Sequence, residues 1–166
     1  MTIESSDILP LSREHEAASC VDLLLASEPW ITLGLRREAA LSTLMDPACE
    51  AHVVRDGQGV AGFVTLDMHG PLRGYVQILC VRPDCRGKGI GSALLRWSEE
   101  RIFRESPNVF ICVSSFNSGA RRLYERLGFA HVATFTDMWV PGHDEPCCAR
   151  PAGAGPHFVS GRRKIR

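Results

Sequence analysis

A mixed α/β domain, with an antiparallel meander in its central sheet and helices packed against it, is predicted from three observations. Two helix-patterned segments come first. Three β-rich runs separated by short glycine turns follow. Two strand-to-helix units then close the pattern, the first entered through the glycine-rich stretch "RGKGIGS". The 166 residues, 45% of them hydrophobic, suit a single core, because chains of about 100–200 residues can bury most of their apolar surface in one domain.

A short strand is expected near Ile8 to Leu11. Ser12 then caps a helix with Glu14 and Glu16 in its first turn, and Ala17, Cys20, Val21, Leu24 and Leu25 make one apolar face. "SEPWITLG" breaks that helix, and "RREAALSTLMDP" forms a second, which Pro47 helps to end. "AHVVRDG", "GVAGFVTLDMHG" and "GYVQILCV" read as three strands of a meander, joined through "DGQG" and "HGPLRG".

Residues 89–104 place Ile90, Ala93, Leu94 and Trp97 on one side of a helix, with Arg96, Ser98 and Glu99 off that side. Pro107 and Asn108 stop it. "NVFICVSS" is a continuous apolar run suited to a strand buried on both faces. In "NSGARRLYERLGF", Ala120, Leu123, Tyr124 and Leu127 recur at helical spacing, Gly128 supplies a left-handed stop, and Phe129 turns back to the core. "HVATFTDMWV" is one more strand. Residues 1–145 are therefore assigned to the domain. Residues 146–166, rich in Pro, Gly, Ala and Cys, are assigned to a loosely ordered tail, with "HFVS" its one strand-like run.

Composition narrows the partners. Nineteen basic residues balance nineteen acidic ones, so no overall field draws the chain to nucleic acid or to an anionic membrane. No apolar run approaches the roughly 18 residues that span a bilayer, and the N-terminal "MTIESSDILP" does not pattern as a leader, so a cytoplasmic protein is expected. Seven irregularly spaced cysteines without C-x-x-C fit reduced thiols. His143, Cys147, Cys148 and His157 do not have the spacing of a structural zinc site, and no metal is expected. The oligomeric state is left open, a homodimer included.

The glycine turn is the informative feature. "RGKGIGS" is not a Walker loop, because Lys88 is followed by Gly89. Nor is it a dinucleotide fingerprint, because the third required glycine, counted from Gly87, is Ser92. Alternating glycines before a helix nevertheless let backbone N–H groups converge on an anion, where the helix dipole also favours negative charge; a diphosphate fits. A tight strand-to-helix connection with no ligand would have the same composition.

Arg86-Gly87-Lys88-Gly89-Ile90-Gly91 resembles the [QR]-x-x-G-x-[GA] pyrophosphate signature of the GNAT superfamily of acyl-CoA N-acyltransferases. Asn117, Ala120, Tyr124, Gly128 and Phe129 resemble that family's N-x-x-A-x-x-x-Y-x-x-x-G-F motif. The likeness covers about residues 8 to 140, and the motif layout is similar to that of the ribosomal-protein N-terminal acetyltransferases. It implies the GNAT fold, in which a bulged strand splays from the next one to leave a slot, here between "QILCV" and "VFICVSS".

The same resemblance implies an acetyl-CoA cosubstrate and an amine acceptor, on a small molecule or a peptide. The pantetheine arm would follow the backbone near Leu79, Cys80 and Val81, and the pyrophosphate would rest on the amides of Arg86, Gly87, Lys88, Gly89, Ile90, Gly91 and Ser92. Asn117 would reach the pantetheine or cap its helix, or do both. Tyr124 would protonate the leaving thiolate, and a backbone N–H near Leu79 would face the oxyanion.

One position departs from the relatives. Where the ribosomal-protein enzymes carry a glutamate five residues before the motif asparagine, this chain has Cys112. Glu145, Asp137, Tyr75 and His131 are alternative bases, none of them assigned. Without that glutamate, an α-amine with a pKa of about 8 is an easier acceptor than a lysine amine near 10.4. Trp30, between the first two helices, either shapes the acceptor pocket or packs into the core. A catalytically idle acyl-CoA-binding module is the alternative function.

Overall fold

A computed structural model describes residues 3–153. Its elements run β1 (Ile8–Pro10), α1 (Arg13–Leu25), α2 (Arg37–Met45), β2 (Glu50–Asp56), β3 (Gly59–Asp67), β4 (Tyr75–Val81), α3 (Ile90–Ile102), β5 (Asn108–Cys112), α4 (Ser118–Arg126), β6 (Ala130–Phe135) and β7 (Glu145–Pro151). The described strands form one sheet of order β1-β2-β3-β4-β5-β7-β6. Neighbours are antiparallel except β4 and β5, which run parallel. The mixed sheet with its meander is thus as the sequence predicts.

Helices cover both faces of this sheet, and the hydrophobic periods show why. On one side Ala17, Cys20, Val21 and Leu24 of α1 join Ala40 and Leu44 of α2 over Val53, Phe63 and Ile78. On the other, Leu94, Leu95 and Ile102 of α3 meet Val64, Leu66, Val76, Val109 and Ile111, and Tyr124 and Phe129 close the cluster. β3 feeds both cores, so Ala61 to Leu66 are buried without a break. Each fully buried Leu, Val or Phe here contributes about 1.5–3 kcal/mol, enough to hold the sheet between helices that individually are too short to be stable.

The helix starts differ in detail from expectation. Ser12 is the N-cap of α1, but its hydroxyl makes no cap bond. Its N–H donates instead to Glu16 Oε2 at 2.8 Å, while Arg55 Nε and Nη2 hold the two Glu16 oxygens at 2.6 and 2.7 Å. That guanidinium keeps the Glu16 carboxyl below its ordinary range. α4 starts as expected: the Asn117 side chain accepts from Ala120 N–H at 3.1 Å. At its end Gly128 takes a left-handed φ of 85°.

Two expectations are corrected. Ser98 and Glu99, placed off the apolar side of α3, are buried. The tail assigned from residue 146 is not loose over its first part, because β7 runs to Pro151 between β5 and β6. Pro146 and Pro151 would interrupt the middle of a central strand, but they lie near the two ends of β7, where a missing N–H costs least. Cys147, Cys148 and Ala149 between them are all buried, so no alternation marks the strand. The "HFVS" run lies outside the described residues.

Candidate active site

The site begins with a bulge. Thr65 of β3 pairs with Ile78 and Leu66 with Val76, leaving Gln77 as the extra residue of β4. β4 meets β5 only at Tyr75–Phe110 and Val76–Ile111. Beyond that point no described strand pairs with this side of β4, and the edge from Gln77 to Val81 opens into the expected slot. Arg86 crosses its far end: Nε donates to the Val81 carbonyl at 3.1 Å and Nη2 to Ser27 Oγ at 3.3 Å.

The turn after β4 depends on glycine for its backbone, not for space. Gly87 and Gly89 have φ of 74° and 88°, a region costly for residues with a Cβ, although an added Cβ would meet nothing within 4 Å at either position. Both therefore face open space at the start of α3, whose first-turn N–H groups lack intrahelical acceptors. At Gly91, one turn in, a Cβ would approach Leu123 Cδ2 to 3.4 Å, so α3 and α4 pack closely beside the turn.

A cavity of about 690 Å³ occupies this region. Its wall includes Leu79, Cys80 and Val81, the turn residues Arg86, Gly87 and Gly89, the helix start Ile90 to Ser92, and Asn117 and Tyr124. Of the residues that the resemblance places on acetyl-CoA, with Tyr124, Lys88 alone is not in the wall; it is exposed on the turn. Arg122 and Arg126 also line this cavity and were not foreseen, although their i, i+4 spacing puts both on one face of α4. The arrangement gathers backbone donors, a helix N-terminus and two guanidinium groups, a set suited to a diphosphate.

A second cavity, of about 390 Å³, lies on the α1–α2 side of the slot and shares Leu79, Asn117 and Tyr124 with the first. Trp30, Leu33, Leu35 and Trp139 give it apolar walls. Trp30 is half-buried: it lines this cavity and also packs on the core beneath α1. Of the bases considered, Glu145 and Tyr75 line this cavity, whereas Asp137 and His131 are exposed and outside its wall.

The ionisable groups here are tuned by burial. Tyr124 is 6% exposed, and desolvation pushes its phenol well above the usual range, so it keeps its proton at neutral pH. Burial raises Tyr75 likewise. Glu145 is 3% exposed, and burial raises its carboxyl against the Ser114 hydroxyl and His143, which favour the charged form. All seven cysteines are free. Among the described residues no group of His, Cys, Asp and Glu could hold a metal ion; His157 lies outside them.

With this geometry in view, comparison with known proteins is specific. The chain matches the Acetyltransferase (GNAT) family over residues 15–129. It is 31% identical to the S-(2-succino)cysteine N-acetyltransferase of Bacillus subtilis (strain 168) over 136 residues, 72% of this chain and 81% of that one. It is 36% identical over 95 residues to the mycothiol acetyltransferase of Streptomyces coelicolor (strain ATCC BAA-471 / A3(2) / M145), covering 56% of this chain but only 30% of that one. An aminoglycoside 6'-N-acetyltransferase solved with coenzyme A superposes with a TM-score of 0.71 at 16% identity, over 87% of this chain and 96% of that one, a likeness of fold.

The bulged strand splayed from its parallel neighbour, with a glycine turn and a helix start at its end, lies within the residues matched to the GNAT family. The chain belongs to the GNAT acetyltransferase family. It is an N-acetyltransferase acting on an amine, with acetyl-CoA as the acetyl donor. No helix among the described residues is long and apolar enough to cross a membrane.

Proposed function

We propose that the enzyme passes acetyl directly from acetyl-CoA to the amine of a small molecule or peptide, with the donor in the larger cavity and the acceptor in the smaller one. The observation that carries this reading is the sharing of Tyr124, Leu79 and Asn117 by the two cavities, which gives one junction where thioester and amine can meet. In this reading the free edge of Leu79, Cys80 and Val81 receives the pantetheine as a surrogate strand. The amides of the turn, from Arg86 to Ser92, together with Arg122 and Arg126, hold the diphosphate.

Tyr124 then donates its proton to the departing sulfur, and a backbone N–H near Leu79 faces the carbonyl oxygen as charge develops there. The Bacillus subtilis relative is named for N-acetylation of S-(2-succino)cysteine, which supports a small-molecule amine as acceptor. That compound itself is not proposed as the acceptor: among the described residues no Lys or Arg lines the acceptor cavity. Nothing in the geometry favours an idle acyl-CoA-binding module, and the relatives are acetyltransferases.

The test is a screen of amines and N-terminal peptides with acetyl-CoA, reading free thiol. Acceptor-dependent thiol release with matching acetylated product is expected. Tight acetyl-CoA binding without turnover on any acceptor would oppose the reading and favour the idle module.

A further inference from the structure

We propose that Glu145 takes the proton from the incoming amine, and that the cavity it lines selects a cationic amine carried on an apolar body. This rests on the acceptor occupying the smaller cavity, as above. The first support is the state of the carboxylate. Glu145 is 97% buried by its 3% exposure, and its Oε1 has no hydrogen-bond partner among the described residues. The Ser114 hydroxyl and His143 favour the charged form, but a buried carboxylate with one oxygen unmatched is still costly, so its presence in a cavity wall calls for a cationic or proton-donating ligand to complete it.

The rest of the wall points the same way. Among the described residues its acidic side chains are Glu28 and Glu145, and no Lys or Arg accompanies them. Trp30, Leu33, Leu35 and Trp139 supply apolar surface, and the two indoles can also face a cation. Such a wall welcomes an ammonium group on an apolar body and repels a carboxylate attached near the amine.

Geometry also separates the two proton-transfer roles. Tyr124 comes from α4, whereas Glu145 comes from the start of β7, and both line the same cavity. Cys112 lies opposite Cys147 in the β5–β7 ladder, and Glu145, two residues before Cys147, is held in the β6–β7 ladder opposite Phe135. The carboxylate is thus anchored by the sheet. An acid and a base in one pocket, held on separate elements, can act on the two ends of one transfer.

The chemistry balances. Glu145 takes one proton from the ammonium, and the freed nitrogen lone pair forms the C–N bond at the thioester carbonyl carbon. The C–S bonding pair leaves on sulfur, which takes the Tyr124 phenolic proton. The second nitrogen proton restores the phenol, and the proton on Glu145 passes to solvent as the amide departs. With Glu145 present, the acceptor need not be the weakly basic amine expected in the absence of a base.

The experiment compares wild type with Glu145→Gln on two amines of the same apolar body, one strongly basic and one weakly basic and neutral at pH 7. Glu145→Gln is expected to lose about 10²-fold in kcat/KM on the basic amine. On the neutral amine the loss should stay under about tenfold, with acetyl-CoA affinity unchanged and Glu145→Asp recovering part of the activity. Equal losses on both amines, or none, would overturn the proposal while leaving the acetyltransferase reading intact.

A wild-type measurement needs no variant. An amine of that body with a carboxylate beside the nitrogen should show a KM at least about tenfold higher, a difference of about 1.4 kcal/mol. An equal or lower KM would overturn the charge selection. Failure of wild type to acetylate any amine would overturn both this proposal and the function it rests on.

Discussion

Arg150 Nη1 lies 2.7 Å from each carboxylate oxygen of Glu99, tying β7 to α3 across 51 residues of chain. Glu99 is 7% exposed, and burial raises its carboxyl even against the guanidinium. Removing one partner of such a pair strands the other, so Arg150→Met should cost about 3–5 kcal/mol in urea unfolding. Adding Glu99→Gln should recover much of that loss. If Arg150→Met unfolds like wild type, the pair does not anchor β7.

Gly89→Val addresses the turn. Its φ of 88° strains any β-branched residue, and the new side chain would stand where an anion must approach the helix N-terminus. Calorimetry should show CoA binding weakened by at least about tenfold, or about 1.4 kcal/mol. Unchanged affinity in a folded variant would move the diphosphate elsewhere.

Tyr124→Phe separates catalysis from packing. The ring stays in its buried place beside Phe129, 6.1 Å between centroids, so fold and CoA affinity should persist. General acid catalysis is worth about 10²–10⁴-fold, and thiolate is a good leaving group, so a kcat loss near the lower end is expected. Wild-type kcat, measured where chemistry limits turnover, would return Tyr124 to the core.

The raised carboxyl of Glu145 makes a prediction about stability. Its folded pKa lies above the 4.5 of the free group, so the folded protein keeps a proton that the unfolded chain has lost. Stability from this group is present below about pH 4.5 and is lost as pH rises through the folded value. Carboxyls lowered by guanidinium partners, such as Glu16 with Arg55 and Glu105 with Arg101, work in the opposite sense. The difference between wild type and Glu145→Gln isolates the group: the variant should gain stability over wild type as pH increases from 4 to 8. Parallel pH profiles for the two proteins would show that Glu145 is not desolvated.

Where local chemistry was sufficient, the sequence was enough to read the protein. The helical periods of α1, α3 and α4, the glycine turns of the meander, the stop at Gly128, and the alternating glycines at 87, 89 and 91 each follow from constraints spanning a few residues. That the glycine turn, Asn117 and Tyr124 belong together was legible only through the resemblance of two separate motifs to one family, and the fold brings most of these residues to one cavity wall. Tertiary structure alone decided the rest. Glu99 patterns as a surface residue of its helix and is buried because Arg150, far along the chain, supplies the matching charge. β7 carries no alternation, because a strand flanked by two others and buried on both faces has none to show. Glu145 reached the wall of the smaller cavity through that strand order: it lies on β7, a strand that the sequence did not mark, paired with Phe135 of β6. Such pairings bring together residues with no common local period, and the free energy that selects them arises only when the sheet closes between its helices.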